Sequence, residues 1–363
     1  MSNFASKFDS LKYSKLMLFA CGITLFNSIR KTKLISLGLG FSFHMICLAT
    51  IIIVSCCFYK YRSSFSAFTV ITNAITLITW WAMFSKRNQI VRILHCLKKL
   101  GRVYKSKPIL YFVRFSIFTV FSIIVIPSIT SAIFIHLSSN NEGKCNECWF
   151  HIPSPVLKMA YNFLLQVSRQ FVNWGFIYTV ALFYSCTCLE LNRIVCKLNK
   201  DIKQQEFYIL REKKERYRNL VLTIMDFEDA MSFIILLVFC NCFNEFFRGL
   251  TQILFNPELN KSFRLLVLAS FYFLGSGITF VTVVFTADNL QHNLAFLRRS
   301  MLETSELPNS SLPELLRCDL ELLEDKDNIH LTAWGMFDVK KGLIITALAS
   351  LISYGVILGQ LKV

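Results

Sequence analysis

Seven long apolar stretches limit what this chain can fold into. They cover, roughly, residues 34–59, 64–84, 109–137, 155–187, 230–255, 263–287 and 338–361. A stretch of about 20 mostly apolar residues is what an α-helix needs to cross the hydrocarbon core of a bilayer. We therefore predict an all-α membrane protein with seven transmembrane helices. No internal repeat or low-complexity tract divides residues 1–363, so the chain is predicted to be a single domain.

The composition agrees with a membrane protein. Hydrophobic residues make up 54% of the chain and charged residues 17%, whereas soluble domains carry about a quarter charged residues. The net charge of +16 comes from basic residues grouped between the apolar stretches, which is how membrane proteins place them in cytoplasmic loops. No basic patch is interleaved with aromatic residues, so we do not expect nucleic-acid binding.

The distribution of lysine and arginine predicts the orientation. With a cytoplasmic N-terminus, the inner segments carry 29 of the 39 basic residues and the outer loops and tail carry five. This asymmetry places the N-terminus inside and, after seven spans, the C-terminus outside. A G-protein-coupled receptor has the opposite orientation. Asn260, in the sequon Asn-Lys-Ser of an outer loop, is a glycosylation candidate.

The polar connections are predicted to be partly helical. Residues 188–228 have helical periodicity and few breakers, so the fourth and fifth helices should extend into the cytoplasm. Residues 288–337 are a net acidic, helical connection that either joins subunits or is a solvated loop. The run at 16–26 is too short to span a bilayer, and we expect it to lie at the membrane interface.

No enzyme site is predicted. The sequence has no glycine-rich phosphate loop, no paired histidines at metal-ligand spacing and no Ser-His-Asp set at one depth, so neither a cofactor nor a metal ion is expected. Cys145 and Cys148 are the two cysteines of a polar outer loop. They are either a disulfide or unpaired, because zinc would need a second pair at suitable spacing.

Two stripes of polar residues inside the membrane are candidates for a ligand pocket. Ionisable and amide side chains in a span face the bundle interior or a wet cavity. Each stripe falls within an arc of roughly 100° at helical spacing: the fourth stretch carries Asn162, Gln166, Arg169, Gln170 and Asn173, and the fifth carries Asn241, Asn244, Glu245 and Arg248. Aromatic candidates to line the same pocket include Trp80 and Tyr272. The alternative is that these groups only hydrogen-bond between helices and hold the bundle together.

The last apolar stretch has one mildly polar face. Thr346, Ser350, Ser353, Ile357 and Gln360 recur every three or four residues. Several such helices around a symmetry axis would enclose a pore, with Gln360 of each subunit at the outer mouth replacing part of a cation's hydration. Alternatively, Tyr354 and Gln360 lie at the lipid–water boundary, where tyrosine is common.

The end of the chain resembles the C-terminal signature of insect gustatory receptors, which is Thr-Tyr, five apolar residues, then Gln-Phe. Here the signature reads Ser353-Tyr354, five residues from Gly355 to Gly359, then Gln360-Leu361. The residues before the last stretch also fit the family: Ala333, Gly335, Phe337 and Asp338. The length, the seven spans and the inverted orientation extend the resemblance to the whole chain.

The resemblance implies a ligand-gated, non-selective cation channel in the plasma membrane of sensory neurons. Such a channel is a homo- or heterotetramer with sister receptors, surrounded by membrane lipid, and passes monovalent and divalent cations when a small-molecule tastant binds. Gln360 would line the outer gate, Tyr354 would pack behind it, and Ile357 would form a hydrophobic constriction. Leu361 replaces the family's phenylalanine. Gly355 stands where sugar receptors carry glutamate, which favours bitter compounds or contact pheromones. The alternative function is a metabotropic receptor, or an odorant-type subunit that needs a co-receptor to conduct.

Overall fold

The computed structural model describes residues 18–19, 21–23, 30–61, 64–103, 118, 122, 124–126, 128–129, 155–204, 210–255, 263–305 and 330–361. The helices are α1 (Arg30–Tyr61), α2 (Ser64–Ser85), α3 (Arg87–Val103), α4 (Pro155–Gln170), a π-helical turn (Phe171–Gly175), α5 (Phe176–Gln204), α6 (Leu210–Phe255), α7 (Phe263–Ser305) and α8 (Gly342–Leu361). Strands β1 (Thr332–Ala333) and β2 (Phe337–Asp338) precede the last helix. Helices occupy six of the seven predicted stretches, and most of 109–137 lies outside the described residues.

Several helices are longer than a bilayer is thick. The 46 residues of α6 and the 43 of α7 make about 69 Å and about 64 Å, against a hydrocarbon core of roughly 30 Å. Four helical segments within the described ranges are long and apolar enough to cross a membrane: Leu34–Ile52, Ala67–Ser85, Phe163–Ile202 and Ala269–Met301. A shorter apolar helix covers Gly342–Ile357.

Helix α5 forms the centre of the bundle. Residues 172–188 are all buried, and α5 packs against α7 and α6. A helix that is apolar on nearly every face is stable only when other helices surround it, and this part of the sequence is mostly apolar and carries no charged residue. The largest fully buried side chains of the described core include Phe176, Phe183 and Tyr184.

The short run before α1 packs inside the protein. Leu18, Cys21 and Ile23 are completely buried, and the backbone carbonyl of Cys21 accepts a hydrogen bond of 2.8 Å from the Trp80 indole. Gly22 has a φ of +82°, and a Cβ there would lie 2.3 Å from a backbone nitrogen of α1. The side chains of these residues fill space against α1 and α2, and the position of this run at the membrane interface stays a prediction.

The last helix begins four residues later than predicted. The stretch was expected to start at 338, but Asp338 pairs with Thr332, and Phe337 with Ala333, in an antiparallel two-stranded hairpin. The turn between the strands includes Trp334 and Gly335 with φ values of +54° and +68°. Helix α8 therefore starts at Gly342, after the chain leaves the hairpin.

Hydrogen bonds attach this hairpin to α6 and α7. The Glu228 carboxylate accepts bonds from the Thr332 backbone N–H (2.8 Å) and hydroxyl, and the Trp334 N–H donates to the Ser232 carbonyl. The Gln291 amide of α7 donates to the Val339 carbonyl (2.9 Å). Burial raises the pKa of Glu228, and the bonds from Thr332 oppose that rise. The start of α8 is thus fixed to both long helices.

Candidate functional site

A buried ion pair lies on α6 within the predicted fifth span. Glu245 is completely buried, and one of its oxygens lies 3.4 Å from Nη1 of Arg248, one turn later. The other oxygen accepts a 2.6 Å bond from the Thr72 hydroxyl of α2. The Asn244 amide also donates to that hydroxyl (2.8 Å) and to the Phe68 carbonyl (3.1 Å). The polar face of α6 therefore meets α2.

Helix α2 contributes a polar stripe that the sequence analysis missed. Its five members are all buried: Thr69, Thr72, Asn73, Thr76 and Thr79. Their spacing of three or four residues within 64–84 is the signal that would have revealed them. The stripe was missed because threonine is only weakly polar and its hydroxyl can donate a hydrogen bond to a backbone carbonyl of its own helix, as Thr76 does to Thr72.

An aromatic stack joins α6 to the π-helical turn. The Arg248 guanidinium lies over the Tyr272 ring of α7, 4.4 Å from its centroid, in the geometry of a cation–π interaction. Trp174 stacks on Tyr272, with centroids 4.3 Å apart, and Tyr178 packs edge-on against Trp174. The two predicted polar stripes are thus linked through Tyr272.

The π-helical turn changes the geometry of the first stripe. The Phe176 N–H donates to the Phe171 carbonyl, five residues back, so this turn holds more residues than an α-helical turn. The side chains that follow it therefore point in directions different from those expected at 100° per residue. Gly175 permits this packing, because a Cβ would lie 2.7 Å from Ile124 Cδ1. Gln170 and Asn173 are buried, and Gln166 and Arg169 are half-buried. Helix α4 includes Asn162, but its side chain lies outside the described residues.

Six buried amide oxygens have no hydrogen-bond donor within the described ranges, and among them are those of Asn73, Asn173 and Asn241. Burying a polar group without a partner costs about 1–3 kcal/mol. Such acceptors are therefore places where a water molecule or a ligand with an N–H or O–H group is stabilised. The oxygens of Asn73, Asn173 and Asn241 lie on α2, the π-helical turn and α6, which also contribute to the ion pair and the aromatic stack.

The structure does not bring Trp80 into this cluster. Trp80 packs with Phe43, His44 and Phe84, while Tyr272 belongs to a separate cluster with Trp174 and Tyr178. The reason is position along α2: Trp80 is eight residues, or about 12 Å, from Thr72.

Helix α8 contacts the rest of the chain along a narrow face. Ala347 and Leu351 are buried, and the Tyr354 ring lies 4.4 Å from the Phe247 ring of α6. The predicted pore residues point elsewhere, because Ser353, Ile357 and Gln360 are exposed. The side chain of Leu361 lies outside the described residues.

Three further candidates are beyond the described ranges, namely Cys145, Cys148 and Asn260. Among the residues that are described, no three His, Cys, Asp or Glu side chains come together in a group that could hold a metal ion.

No protein-family model matches the sequence, and no curated protein matches it. Solved structures match its fold. The insect olfactory receptor OR5 from Machilis hrabei superimposes with a TM-score of 0.68 and 10% identity over 97% of this chain and 97% of that chain. The same receptor in complex with eugenol gives a TM-score of 0.69, 12% identity and the same coverage. The chain is an all-α membrane protein with the fold of an insect olfactory receptor.

Proposed function

We propose that this chain is a subunit of an insect chemosensory receptor, a gustatory receptor that acts as a ligand-gated, non-selective cation channel. The fold it shares with an olfactory receptor over 97% of both chains supports the receptor assignment, and the C-terminal signature supports the gustatory type. The chain would cross the plasma membrane of a sensory neuron seven times, with its N-terminus inside, and assemble as a tetramer.

The observation that carries the channel proposal is the division of α8 into three faces. At 100° per residue, its side chains fall into three separate sectors. The first packs on the subunit itself and contains Ala347, Leu351 and Tyr354. The second is polar and exposed and contains Thr346, Ser350, Ser353 and Gln360. The third is apolar and exposed and contains Ile345, Leu348, Ile352 and Val356.

A helix that lines a shared pore needs these three faces. One face holds it to its own subunit, a polar face borders the ions, and an apolar face covers a neighbouring subunit or lipid. Ile357 is 54% exposed and lies on the polar side, one turn before Gln360. A ring of isoleucines there would close the pore by dewetting, and a ring of glutamines would replace part of a cation's water shell.

The ligand site is proposed at the cluster formed by Asn173, Trp174, Tyr272 and the Glu245–Arg248 pair. The Trp174–Tyr272 stack offers aromatic surface, and the Asn173 oxygen offers a buried acceptor. These groups suit a small aromatic molecule with a hydroxyl or amine. The related receptor was solved with eugenol, a molecule of that chemistry, and bitter compounds or contact pheromones are the proposed ligands here.

Helix α6 is the physical connection between this site and α8. Glu245 and Arg248 face the site, while Phe247 contacts Tyr354 and Leu250 lies against Gly355, where a Cβ would be 3.6 Å from its side chain. A ligand opens the channel only if it binds the open arrangement more tightly than the closed one. Movement of this α6 turn is the proposed link.

Single-channel recording in a heterologous cell, with a panel of bitter compounds and eugenol, tests the proposal. We expect Gln360→Ala to change conductance or ion selectivity while the ligand concentration for half-maximal response stays the same. Arg169→Ala or Glu245→Ala should shift ligand sensitivity and leave unitary conductance unchanged. If the two patterns are exchanged, the site assignment is wrong. If purified protein passes no current with any ligand, the channel proposal fails.

A further inference from the structure

Helix α6 has an outer strip, formed by Phe233 and Cys240, that lies beside α8. Cys240 is the one exposed cysteine among those that the structure describes. Phe233 is half-buried, and the Trp334 ring of the hairpin packs against it with the ring centroids 5.3 Å apart. Trp334 itself is 60% exposed. The outer strip and the hairpin thus form an apolar surface that the described part of the subunit leaves open.

Two contacts determine how α8 is turned relative to this strip. Phe247 of α6 meets Tyr354, and Leu250 of α6 lies against Gly355. At 100° per residue, Cys240 lies about 20° beyond Phe247 around α6, on the side away from Leu250. The polar face of α8 lies beyond Tyr354, on the side away from Gly355. The outer strip of α6 and the polar face of α8 are therefore on the same side of the subunit.

The apolar face of α8 is on the opposite side. Its members lie beyond Gly355 within an arc of about 80°, and each is more than half exposed: Ile345, Leu348, Ile352 and Val356. This side is next to α7, because Lys341 pairs with Asp288 of α7 at 3.1 Å. The subunit thus has two open apolar surfaces, and α8 separates them.

Fourfold symmetry brings these two surfaces together. The proposed function requires the polar faces of four α8 helices to border one axis, and each subunit is then a quarter turn from the next. With neighbouring helices about 9 Å apart, the apolar face of one α8 points at the α6 helix of the next subunit. The point of that α6 helix that faces it lies about 20° beyond Phe247, which is the position of Cys240.

The two surfaces also agree in height. All copies in a ring have the same orientation along the axis, so residues that are level within one subunit are level throughout the ring. Phe247 is level with Tyr354, and Leu250 with Gly355. Counting back along both helices, Cys240 is level with the turn of α8 that contains Ile345 and Leu348.

We propose that the apolar face of α8 in one subunit packs on the outer strip of α6 in the next subunit, with Cys240 against Ile345 and Leu348. The contact joins two different surfaces, so it is heterologous, and it closes into a ring after four copies. The inference rests on the proposed function, because α8 must line a shared axis. It makes a second copy of this chain, and not lipid, the partner of the apolar face.

Oxidative crosslinking of the full-length protein in membranes tests this contact. A disulfide forms only where two Cα atoms are about 4.4–6.8 Å apart, and the native Cys240 supplies one of the two thiols. We expect Leu348→Cys or Ile345→Cys to yield covalent dimers, trimers and tetramers, because each copy then has one cysteine on each surface. A contact between identical surfaces would stop at the dimer.

Met45→Cys is the matched control. Met45 is 51% exposed and Leu348 is 53% exposed, but Met45 is on α1, which packs against α2, α4 and the π-helical turn. We expect oxidation to produce no covalent oligomer from the Met45→Cys protein or the wild type. Equal yields of covalent oligomer from Met45→Cys and Leu348→Cys would overturn the proposal.

Removing the native thiol identifies the partner surface. Adding Cys240→Ser to Leu348→Cys should abolish the covalent oligomers. When this double variant is expressed together with the wild type, the covalent products should stop at the dimer, because each chain then has only one of the two cysteines. Oligomers that persist after Cys240→Ser would contradict the proposed contact.

Currents recorded from the same preparations separate this contact from the channel proposal. If the protein conducts but Leu348→Cys forms no more covalent oligomer than Met45→Cys, the contact alone is wrong and the apolar face borders lipid. If the protein forms the oligomers through Cys240 but does not conduct, the contact stands and the channel proposal fails. If it does neither, both are wrong.

Discussion

Helix α6 carries two ion pairs in opposite surroundings, 16 residues apart. The pair between Asp229 and Lys86 is shorter, at 3.0 Å, and its side chains are 68% and 41% exposed. The pair between Glu245 and Arg248 is longer, at 3.4 Å, and its side chains are 0% and 5% exposed. Distance alone would rank the first pair as stronger. Surroundings reverse that order, because a buried charge that loses its partner has no water to solvate it.

The largest effect is expected from breaking the buried pair. Glu245→Ala leaves the Arg248 guanidinium without its carboxylate and should lower the free energy of unfolding by about 3–5 kcal/mol. The measurement is thermal unfolding of the purified protein in detergent. Glu215→Ala, an exposed glutamate on the same helix, is the control and should change stability by no more than about 0.5 kcal/mol. If both variants lose the same free energy of unfolding, burial does not make Glu245 more important for stability than an exposed glutamate.

Removing both charges should recover most of that loss. Glu245→Gln with Arg248→Met keeps an amide oxygen for the Thr72 hydroxyl and leaves no buried charge. Replacing a buried pair by uncharged side chains of similar size is often neutral or stabilising, so we expect unfolding within about 1 kcal/mol of the wild type. If the double variant is no more stable than Glu245→Ala, the ion pair itself stabilises the fold.

Glu228 is half-buried, between the exposed Asp229 and the buried Glu245. It should make the stability of the protein depend on pH. Its pKa is raised from the ordinary 4.5, chiefly by burial. A raised pKa in the folded state means that stability is full below the unfolded pKa and declines as pH rises through the folded value. The stability of the wild type relative to Glu228→Gln should therefore fall from pH 4 to pH 7. If the difference in free energy of unfolding between the two proteins does not change from pH 4 to pH 7, burial does not raise the pKa of Glu228.

The smallest effect is expected at the exposed pair. Asp229→Asn should cost between about 0 and 1 kcal/mol, and the loss should vanish in 1 M salt. The hydrogen bonds from Gln89 and Lys86 lower the pKa of Asp229 below 3.8, so its contribution is present above that value and is lost as pH falls through the lowered pKa. A salt-independent loss would show that the pair is not screened.

The apolar pattern of the sequence was enough to predict the all-α membrane fold. The positions of α1, α2, α6 and α7 follow from runs of hydrophobic residues. The length of such a run and the spacing of its apolar residues can be read directly from a short stretch of sequence. The start of α8 was not predictable in the same way. Phe337 and Asp338 look like the continuation of an apolar helix, and their pairing with β1 depends on Glu228 from a distant part of the chain.

The candidate site was predicted only in part. Glu245, Arg248 and Tyr272 were identified because charged and aromatic side chains stand out in an apolar run, and they do meet. The contact with Thr72 was missed, because threonines in a span satisfy themselves and give little signal. The π-helical turn was invisible, since its extra residue is stabilised by tertiary packing around Gly175 and not by local propensity. Whether these residues bind a ligand stays a prediction.

The hairpin and α8 contact α6 in two regions, so α6 supports both of them. Glu228 holds Thr332, and Phe247, 19 residues or about 28 Å farther along, holds Tyr354. The attachment at Glu228 consists of hydrogen bonds to a carboxylate, whereas the attachment near Phe247 consists of apolar contacts, between the rings of Phe247 and Tyr354 and between Leu250 and Gly355. We therefore expect the C-terminal half of α8 to separate from α6 more easily than its first turn does.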